Sequence, residues 1–254
     1  AGYGGFAQQY LLDELLTKFT GDDTDPADVR RDRAIEKWLG AEHRNEQTNA
    51  RLMYASIVDW DFGWITYGSL VRRIRSVVRR VIGSVVPHET FTAYVHTNGA
   101  STRVGRSETA ALRKLSGKAH VSYHALTHWI DILNADEANK LQNQEVMLRE
   151  SSELFTVPKK SDIDRVACKE PEINMLMQRS CGQLIRKKLR LSGIDLNDQT
   201  VNQRLASEAY ERGLATLDLS SASDTISSQL VQQLLPAAWW SLLDDLRVKS
   251  VTIN

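Results

Sequence analysis

The most constraining feature of the sequence is an amphipathic segment over residues 69–83, which opens at a serine and stops at a glycine. Its apolar residues recur at helical spacing and form one stripe, while five arginines occupy the opposite face. The pattern predicts a helix that packs on one side and is cationic on the other. The apolar residues are Leu70, Val71, Ile74, Val77, Val78, Val81 and Ile82, and the basic ones are Arg72, Arg73, Arg75, Arg79 and Arg80.

A helix of this kind has three interpretations. Its arginines can bind RNA phosphates, it can lie on an anionic membrane, or it can be an ordinary surface helix with a basic exterior. The many β-branched residues of the stripe disfavour the membrane interpretation. The other two remain open from the sequence.

The charge balance of the chain conceals four blocks of alternating sign. The totals cancel, with 32 Lys plus Arg and 32 Asp plus Glu. Residues 11–61 hold twelve acids and seven bases, 70–114 nine bases and two acids, 159–190 nine bases and four acids, and 195–245 eight acids and two bases. This order is expected where cations bind phosphates and neighbouring carboxylates bind a divalent metal. Ordinary solvated helix faces would also produce it.

Length and composition indicate a soluble globular protein. The chain has 254 residues, 42% of them hydrophobic and 25% charged, which suffices for a sizeable core. Two cysteines, Cys168 and Cys181, are too few for a disulfide framework and are expected to be buried thiols in a reducing compartment. The uncharged stretch 225–243 contains serines, glutamines and a proline, so it predicts a pair of soluble helices and no membrane span.

The first half of the chain is expected to be mainly helical. Apolar residues at helical spacing run from Phe6 to Phe19, the helix ends at Gly21, and Asp25-Pro26 predicts the N-cap and first turn of the next helix. Residues 108–149 also favour helices. The chain starts without Met and stops in an apparent strand, so both ends are expected to be cut.

Three histidines recur every four residues within this half. His120, His124 and His128 would share one helical face, a spacing at which adjacent pairs can chelate zinc or copper. Three ligands spread over two turns do not converge on one ion without a further ligand. A structural or RNA-facing role is therefore favoured over a metal site.

The candidate catalytic residue is Asp218. Residues 214–219 predict a short apolar strand that carries Asp218 near its carboxyl end, where open sheets present catalytic groups. Small residues follow, and Asp224 begins a predicted helix over 225–235. Asp218 suits Mg²⁺ as an oxygen ligand, whereas Asp224 either caps the helix or lies near the sugar hydroxyls of a nucleotide.

Upstream, residues 157–171 place cations along an extended, proline-bounded segment. Lysine offers a mobile point charge and arginine a bidentate fork, so these side chains would neutralise a nucleoside triphosphate and its leaving pyrophosphate. A solvated basic loop is the alternative. The cations are Lys159, Lys160, Arg165 and Lys169.

The run Leu-Asp-Leu-Ser-Ser-Ala-Ser-Asp-Thr-Ile-Ser of residues 217–227 resembles motif A of the replicases of single-stranded RNA bacteriophages, the leviviruses. Residues 157–178 resemble the basic fingers motif of that family, and 193–199 with 202–206 resemble the segment between the two motifs. Residues 12–18 and 98–101 match in order near the front. The resemblance is strong over 155–246 and patchy before it.

The resemblance implies an α+β chain with part of a right-hand polymerase fold. Mostly helical fingers would occupy 1–150, a basic fingers segment at the nucleotide entrance 151–210, and the first strand and helix of the palm 211–254. It implies an RNA-directed RNA polymerase with a two-metal Mg²⁺ site, in which Asp218 ligates the metals and a 3′-hydroxyl attacks the α-phosphate of a nucleoside triphosphate. By the same resemblance, the four cations of the basic segment, Lys159, Lys160, Arg165 and Lys169, would contact the triphosphate.

The family resemblance also implies partners and a location. These are RNA template and product, nucleoside triphosphates, the host translation elongation factors Tu and Ts and a ribosomal protein, in the cytoplasm of an infected bacterium. No membrane is expected.

The sequence departs from the family pattern after motif A. No Gly-Asp-Asp motif follows Asp218, and the upstream Gly21-Asp22-Asp23 falls in a predicted helix-to-helix linker. This chain by itself is therefore expected to be inactive. The competing hypotheses are a non-catalytic RNA-binding chain and a helical protein-interaction module. Exposure of the apolar 214–219 segment also predicts poor solubility in isolation.

Overall fold

The computed structural model describes residues 3–18, 24–91, 99–108, 114, 117–135, 145–215, 217 and 219–253. These residues form helices and two small sheets, so the predicted α+β class is confirmed. The helices are α1 (Tyr3–Lys18), α2 (Ala27–Ile57), α3 (Tyr67–Ile82), α4 (Tyr123–Ala135), α5 (Glu172–Leu191), α6 (Thr200–Ser207), α7 (Ala209–Arg212), α8 (Ser228–Leu234) and α9 (Ala237–Leu246).

The strands form two separate sheets. β1 (Ala119–Val121) pairs in parallel with β2 (Val146–Leu148). β3 (Ser151–Pro158) lies between β4 (Asp164–Lys169), which is antiparallel to it, and β5 (Ser250–Thr252), which is parallel. The predicted extended segment 157–171 contains the end of β3, the hairpin turn and all of β4, so the prediction is confirmed for β4, while residues 159–163 form the turn of the β3–β4 hairpin.

Helix α3 ends where its sequence predicts and begins two residues earlier. The Thr66 hydroxyl accepts a hydrogen bond from the Ser69 amide, which makes Thr66 the N-cap, and Gly83 ends the helix at φ 84°. Ile82 is buried, whereas Ile74 and Val77 of the apolar stripe are exposed. The predicted packed face is therefore only partly covered by the described residues.

The hydrophobic core lies where β1, α4, α5 and α9 meet. Trp129 of α4, Ile173 of α5 and Leu246 of α9 are fully buried there. Asn174, also fully buried, accepts from the Ser122 amide at 2.9 Å and donates to the Ser122 hydroxyl at 2.7 Å and to the Leu246 carbonyl at 2.9 Å. One amide side chain thereby joins three elements of the core.

Several predictions about local structure are wrong. Asp25 is not an N-cap: Pro26 occupies that position without a side-chain cap, and the Asp25 carboxylate pairs instead with Arg33. Residues 108–149 contain α4 together with β1 and β2, because His120 and its neighbours pair with 146–148. The Gly21-Asp22-Asp23 segment and Phe19 lie outside the described residues.

The predicted strand over 214–219 is absent from its described members. Leu214, Ala215, Leu217 and Leu219 are exposed and belong to no strand, and Asp218 lies outside the described residues. A strand requires a hydrogen-bonding partner, and each described strand pairs elsewhere. The downstream pair of helices, α8 and α9, is confirmed.

The two cysteines differ in their surroundings. Cys181 is fully buried in the core, and burial raises its pKa to about 12. Cys168, on β4, is exposed, so the prediction of a buried thiol is wrong there. None of the described helices combines the length and apolar character that crossing a membrane requires.

Candidate nucleotide-binding cleft

A cleft of about 550 Å³ lies between α2, the β3–β4 hairpin and the loop before α8. It contains two of the predicted nucleotide-binding cations, Lys159 and Arg165, and also Asp224. This volume lies within the range of sites for small molecules and cofactors. The lining residues are Ala34, Lys37 and Trp38 of α2, Lys159, Ile163, Asp164, Arg165 and Val166 of the hairpin, and Leu219, Ser221, Ala222, Ser223 and Asp224 of the loop.

The hairpin is fastened to α2 by a nearly buried ion pair. Arg30 Nε lies 3.0 Å from Asp164 Oδ1, and their side chains are only 12% and 7% exposed. Asp164 Oδ2 accepts a second hydrogen bond from Thr156 across the hairpin at 3.0 Å. Arg33 also donates to the Asp162 carbonyl at 2.9 Å. These contacts fix the start of β4, where Arg165 enters the cleft lining.

The loop wall is fastened to the same helix. Asn45 of α2 donates to the Asp224 carbonyl at 2.7 Å, and Asn49 accepts from the Gln229 amide at 3.0 Å. Ser221 has a φ of 54°, a left-handed conformation that costs energy in a non-glycine residue. Helix α2 therefore positions both the basic hairpin and the loop that follows Asp218.

Asp224 is not the helix N-cap. Ser227 holds that position, since its hydroxyl accepts from the Leu230 amide, and Asp224 lies in a separate 3₁₀ turn (Ser223–Thr225). Its carboxylate accepts a hydrogen bond from the neighbouring Ser223 hydroxyl at 3.3 Å and is otherwise exposed. The capping alternative is thus removed, and the carboxylate is available to a ligand in the cleft.

The electrostatics of the cleft suit a polyanion. Within the described part of the chain, the side chains of Lys37, Lys159 and Arg165 make no ion pair or hydrogen bond, and all three are exposed. The charge of Asp164 is already compensated by Arg30. Three unpaired cations facing one available carboxylate can hold a phosphate chain while Asp224 accepts hydrogen bonds from hydroxyl groups.

The remaining predicted nucleotide ligands lie away from the cleft lining. The Lys160 amide donates to the Ile163 carbonyl in the hairpin turn, and the adjacent Ser161 amide donates to Thr17 of α1. Lys169, at the far end of β4, places its ammonium 5.5 Å from the centre of the Phe155 ring. Neighbouring side chains of an extended segment point to opposite sides, and the two ends of the segment are far apart. The four cations of the motif therefore do not all reach one site.

The structure does not test the metal site. Asp218 lies outside the described residues, and in the ranges that are described no three His, Cys, Asp or Glu side chains form a group able to hold a metal ion. The oxygen donors of the cleft, the Asp224 carboxylate and the serine hydroxyls, are of the type that Mg²⁺ accepts.

The arginines of α3 have different roles. Arg75 donates to the Gln233 carbonyl, with Nε at 2.9 Å, and Arg72 donates to the Ser69 hydroxyl at 2.8 Å. Arg73, Arg79 and Arg80 are exposed. Of the five predicted RNA-binding arginines, Arg72 and Arg75 thus make contacts to other described residues of the chain.

The histidines do not share a helical face. His120 lies in β1, with Nδ1 2.8 Å from the Thr102 hydroxyl, while His124 and His128 lie on α4. His128 Nε2 is 3.0 Å from Asp245 Oδ2. The helical spacing was misleading because Ser122 separates a strand from a helix, so the structural interpretation of these residues is favoured over a metal site.

Sequence reasoning missed the contribution of α2. Lys37 and Trp38 line the cleft from a helix more than a hundred residues upstream of the other walls. A lysine next to a half-buried tryptophan on a charged helix matches no sequence motif. These two residues are therefore identified as cleft residues only from the structure.

Comparison with known proteins identifies the family of this chain. The family model described as RNA replicase, beta-chain matches residues 2–254. The chain is 39% identical over 250 residues to the RNA-directed RNA polymerase beta chain of Enterobacteria phage fr and 38% identical to that of Escherichia phage MS2, in each case covering 94% of this chain and 44% of the relative. The subunit beta of Escherichia virus Qbeta is 35% identical, with 95% and 40% covered.

The match is continuous along the chain but not along its relatives. The chain spans less than half the length of these curated relatives. The matched range includes both the basic hairpin and the 217–227 run, of which Leu219 and residues 221–224 line the cleft. The chain belongs to the RNA replicase beta-chain family of the RNA bacteriophages.

Proposed function

We propose that this chain is part of an RNA-directed RNA polymerase that replicates a viral RNA genome, and that the cleft binds the incoming nucleoside triphosphate. The observation that carries the proposal is the convergence of Lys159, Arg165 and Asp224 on one cleft, with the loop that directly follows Asp218 as its third wall. Asp224 follows Arg165 by 59 residues, so its position in the same cleft as the two cations is a result of the fold and not of sequence spacing.

The proposed roles follow from charge and position. Lys159, Arg165 and Lys37 hold the triphosphate, and Asp224 accepts hydrogen bonds from the sugar hydroxyls. Asp218 is the proposed Mg²⁺ ligand. In the two-metal chemistry of nucleotidyl transfer, bound Mg²⁺ supplies activation of the attacking 3′-hydroxyl and stabilisation of the pyrophosphate leaving group. The oxygen-only donor set around the loop fits that ion.

The proposed architecture is part of a right-hand polymerase fold. Fingers would occupy 1–150, the basic fingers segment 151–210, and the beginning of the palm 211–254. The attachment of the hairpin and the loop to one long helix supports this division, because it holds the cations of the hairpin beside the loop of residues 219–224.

The proposed partners follow from the same family. The RNA template and product would contact the free arginines of α3, Arg73, Arg79 and Arg80, whose charges are directed to no described partner. The host elongation factors Tu and Ts and a ribosomal protein are proposed partners by family resemblance. The site of action is then the cytoplasm of the infected bacterium.

The test is template-directed nucleotide incorporation with Mg²⁺ by a full-length polymerase that contains this chain. Asp218→Asn should lower kcat by several orders of magnitude while RNA binding is retained. The double variant Lys159→Gln, Arg165→Gln should raise the KM for nucleotide by about 100-fold, because each lost charged hydrogen bond costs roughly tenfold or more.

The matched control removes the same charge from the same hairpin. Lys160→Gln with Lys169→Gln should change the KM for nucleotide by less than about threefold, since neither side chain lines the cleft. Equal effects of the two double variants would contradict the cleft assignment. An intact protein that binds RNA but incorporates nothing at any Mg²⁺ concentration would favour the non-catalytic RNA-binding alternative.

A further inference from the structure

A second, larger groove runs along the outer face of α5, with a volume of about 810 Å³. Four cations line it, and among its described lining residues the acid is Glu170. The groove has no part in the proposed nucleotide cleft. Its lining consists of Glu170, Met175, Gln178, Arg179, Gly182, Gln183, Arg186, Lys187, Arg190 and Asn197.

The cations form a row because of their helical spacing. Arg179, Arg186 and Arg190 are separated by seven and four residues, which returns each to nearly the same side of the helix, and Lys187 lies next to them. At 1.5 Å per residue the row extends over roughly 16 Å. The opposite face of α5 is buried in the core through Leu176 and Met177, so the cationic face must point outward.

The loop after α5 holds two of these arginines in place. Asn197 accepts a hydrogen bond from Arg186 at 3.3 Å, and Asp195 lies 3.4 Å from Arg190 Nε. Arg179 and Lys187 are exposed. At the middle of the row is Gly182, where a Cβ would meet no atom within 4 Å, so the groove floor is open there. The result is a partly preorganised row of donors above an unobstructed floor.

The acid of the groove lining, Glu170, is partly removed from solvent. It is half-buried at the end of β4, and burial is the main cause that raises the pKa of its carboxyl group. Its Oε2 has no hydrogen-bond partner among the described residues. The groove lining thus has four cations and one acid, and Asp195 beside it offsets part of the charge of Arg190, so the lining is net positive.

We infer that the groove along α5 binds the sugar–phosphate backbone of a single RNA strand. A linear row of cations over roughly 16 Å matches successive phosphates of a strand, whereas a small anion would require cations that converge on one point. Glutamine and asparagine side chains between the cations supply donors and acceptors for ribose hydroxyls. The choice of RNA as the polyanion rests on the proposed function. Binding in the groove does not depend on nucleotidyl transfer.

The position of the groove relates it to the cleft. Glu170 directly follows β4, while Arg165 of the cleft lies at the start of that strand. The six residues of β4 place the two sites on the order of 17 Å apart along the strand. An RNA strand bound in the groove is thus held a few nucleotides from the proposed nucleotide site.

The experiment measures binding of a mixed-sequence single-stranded RNA of about 20 nucleotides to this chain, without nucleotide or metal, over a range of salt concentrations. The groove variant carries Arg179→Gln, Arg186→Gln, Lys187→Gln and Arg190→Gln. If four phosphates are neutralised, the slope of log affinity against log salt should fall by about 2.8. Between 50 and 200 mM salt the wild type should then lose about 50-fold more affinity than the variant.

A charge-matched control separates location from net charge. Arg44→Gln, Lys118→Gln, Arg204→Gln and Arg212→Gln remove four exposed cations elsewhere and should leave the salt slope within about one unit of the wild type. A second variant, with the three groove arginines changed to lysine, should retain binding within about threefold, because phosphate contacts require charge. Circular dichroism confirms that all variants are folded.

Three outcomes would overturn the inference. The first is an equal loss of affinity in the groove and control variants, and the second is no RNA binding by the wild type at 50 mM salt. The third is direct binding of polyglutamate with an affinity equal to that for RNA, which would indicate an acidic protein as the occupant. Because no catalysis is measured, failure of the proposed polymerase activity leaves this result unaffected.

Discussion

Asn174 shows how a polar side chain can organise an apolar core. It is fully buried beside Ile173 and Leu176, yet its amide makes three hydrogen bonds, to the backbone and hydroxyl of Ser122 and to the Leu246 carbonyl. A buried amide is tolerated when its donors and acceptors are satisfied. Since the partners lie in the β1–α4 turn and at the end of α9, the bonds also fix the angle at which α5 crosses the core. The groove on the other side of α5 depends on that angle.

His120 makes the stability of the fold dependent on pH. Burial is the main cause that lowers the pKa of His120 from its ordinary value of 6.5, and the charges around it partly offset one another, with Glu172 and Glu153 raising the pKa and Arg103 and Arg149 lowering it. Below pH 6.5 the unfolded chain therefore binds more protons than the folded one. The contribution of neutral His120 to stability is fully present above pH 6.5 and is lost as the pH falls from 6.5 through the lower pKa of the folded state.

We predict that the free energy of unfolding, measured in urea between pH 5 and 7.5, decreases on the acid side of this range. His120→Gln should flatten the decrease, because the replacement cannot be protonated. His43→Gln, at an exposed position of α2, is the control and should leave the pH dependence unchanged. An unchanged slope in His120→Gln would show that other groups govern the acid side.

At the scale of elements, helix α2 is the platform of the cleft. Its Arg30 pairs with Asp164 of the hairpin, and its Asn45 and Asn49 hold the loop and the start of α8. Residues 30–49 thus contact two segments that are more than a hundred positions later in the chain. The relative placement of the basic hairpin and the loop after Asp218 rests on these polar contacts.

Arg30→Ala should therefore destabilise the hairpin and the cleft together. Removal of one partner leaves Asp164 buried without its counter-charge, which costs about 3 kcal/mol of unfolding free energy. The amide of Lys160, bonded to Ile163 in the hairpin turn, should exchange faster with solvent, as hydrogen exchange can measure. Arg44→Ala, an exposed position on the same helix, is the control and should cost less than about 0.5 kcal/mol. Equal protection of the hairpin in both variants would contradict the platform role.

The elements also show what sequence reasoning could and could not predict. The α3 helix was accessible because its apolar stripe and its terminal glycine agree locally, although its start was placed two residues late because Thr66 is the N-cap. The β4 strand was predicted as extended because prolines bound the segment 157–171, but its pairing with β3 was not predicted. The 214–219 strand failed because a strand is defined by its partner, and apolar residues such as Leu217 carry no information on whether one is present. Lys37 and Trp38 were missed for the same reason, since their role depends on distant contacts.

At the scale of the whole molecule, much apolar surface is left uncovered. Leu217 is 89% exposed, and Ile57 and Trp64 at the turn between α2 and α3 are 80% and 78% exposed. The same turn borders an apolar hollow of about 600 Å³ lined by Tyr54, Trp60 and Phe62 among others. Contiguous apolar patches on a soluble protein mark surfaces that associate with another surface. The described chain thus has a buried core at β1, α4, α5 and α9 and also large apolar side chains exposed on its surface.

This combination predicts that the 254-residue chain folds but associates with itself when it is isolated. Sedimentation velocity at micromolar concentration should show species larger than the monomer, and a fluorescent hydrophobic probe should bind to the folded chain. Ile57→Gln with Trp64→Gln should reduce both signals, and comparison with Leu217→Gln and Leu219→Gln tells which patch contributes more. All four side chains are exposed, so these substitutions should leave the melting temperature nearly unchanged. The prediction would be contradicted by a wild-type chain that is monomeric, melts in a single cooperative transition and binds no probe. Its exposed apolar residues would then cause no measurable association.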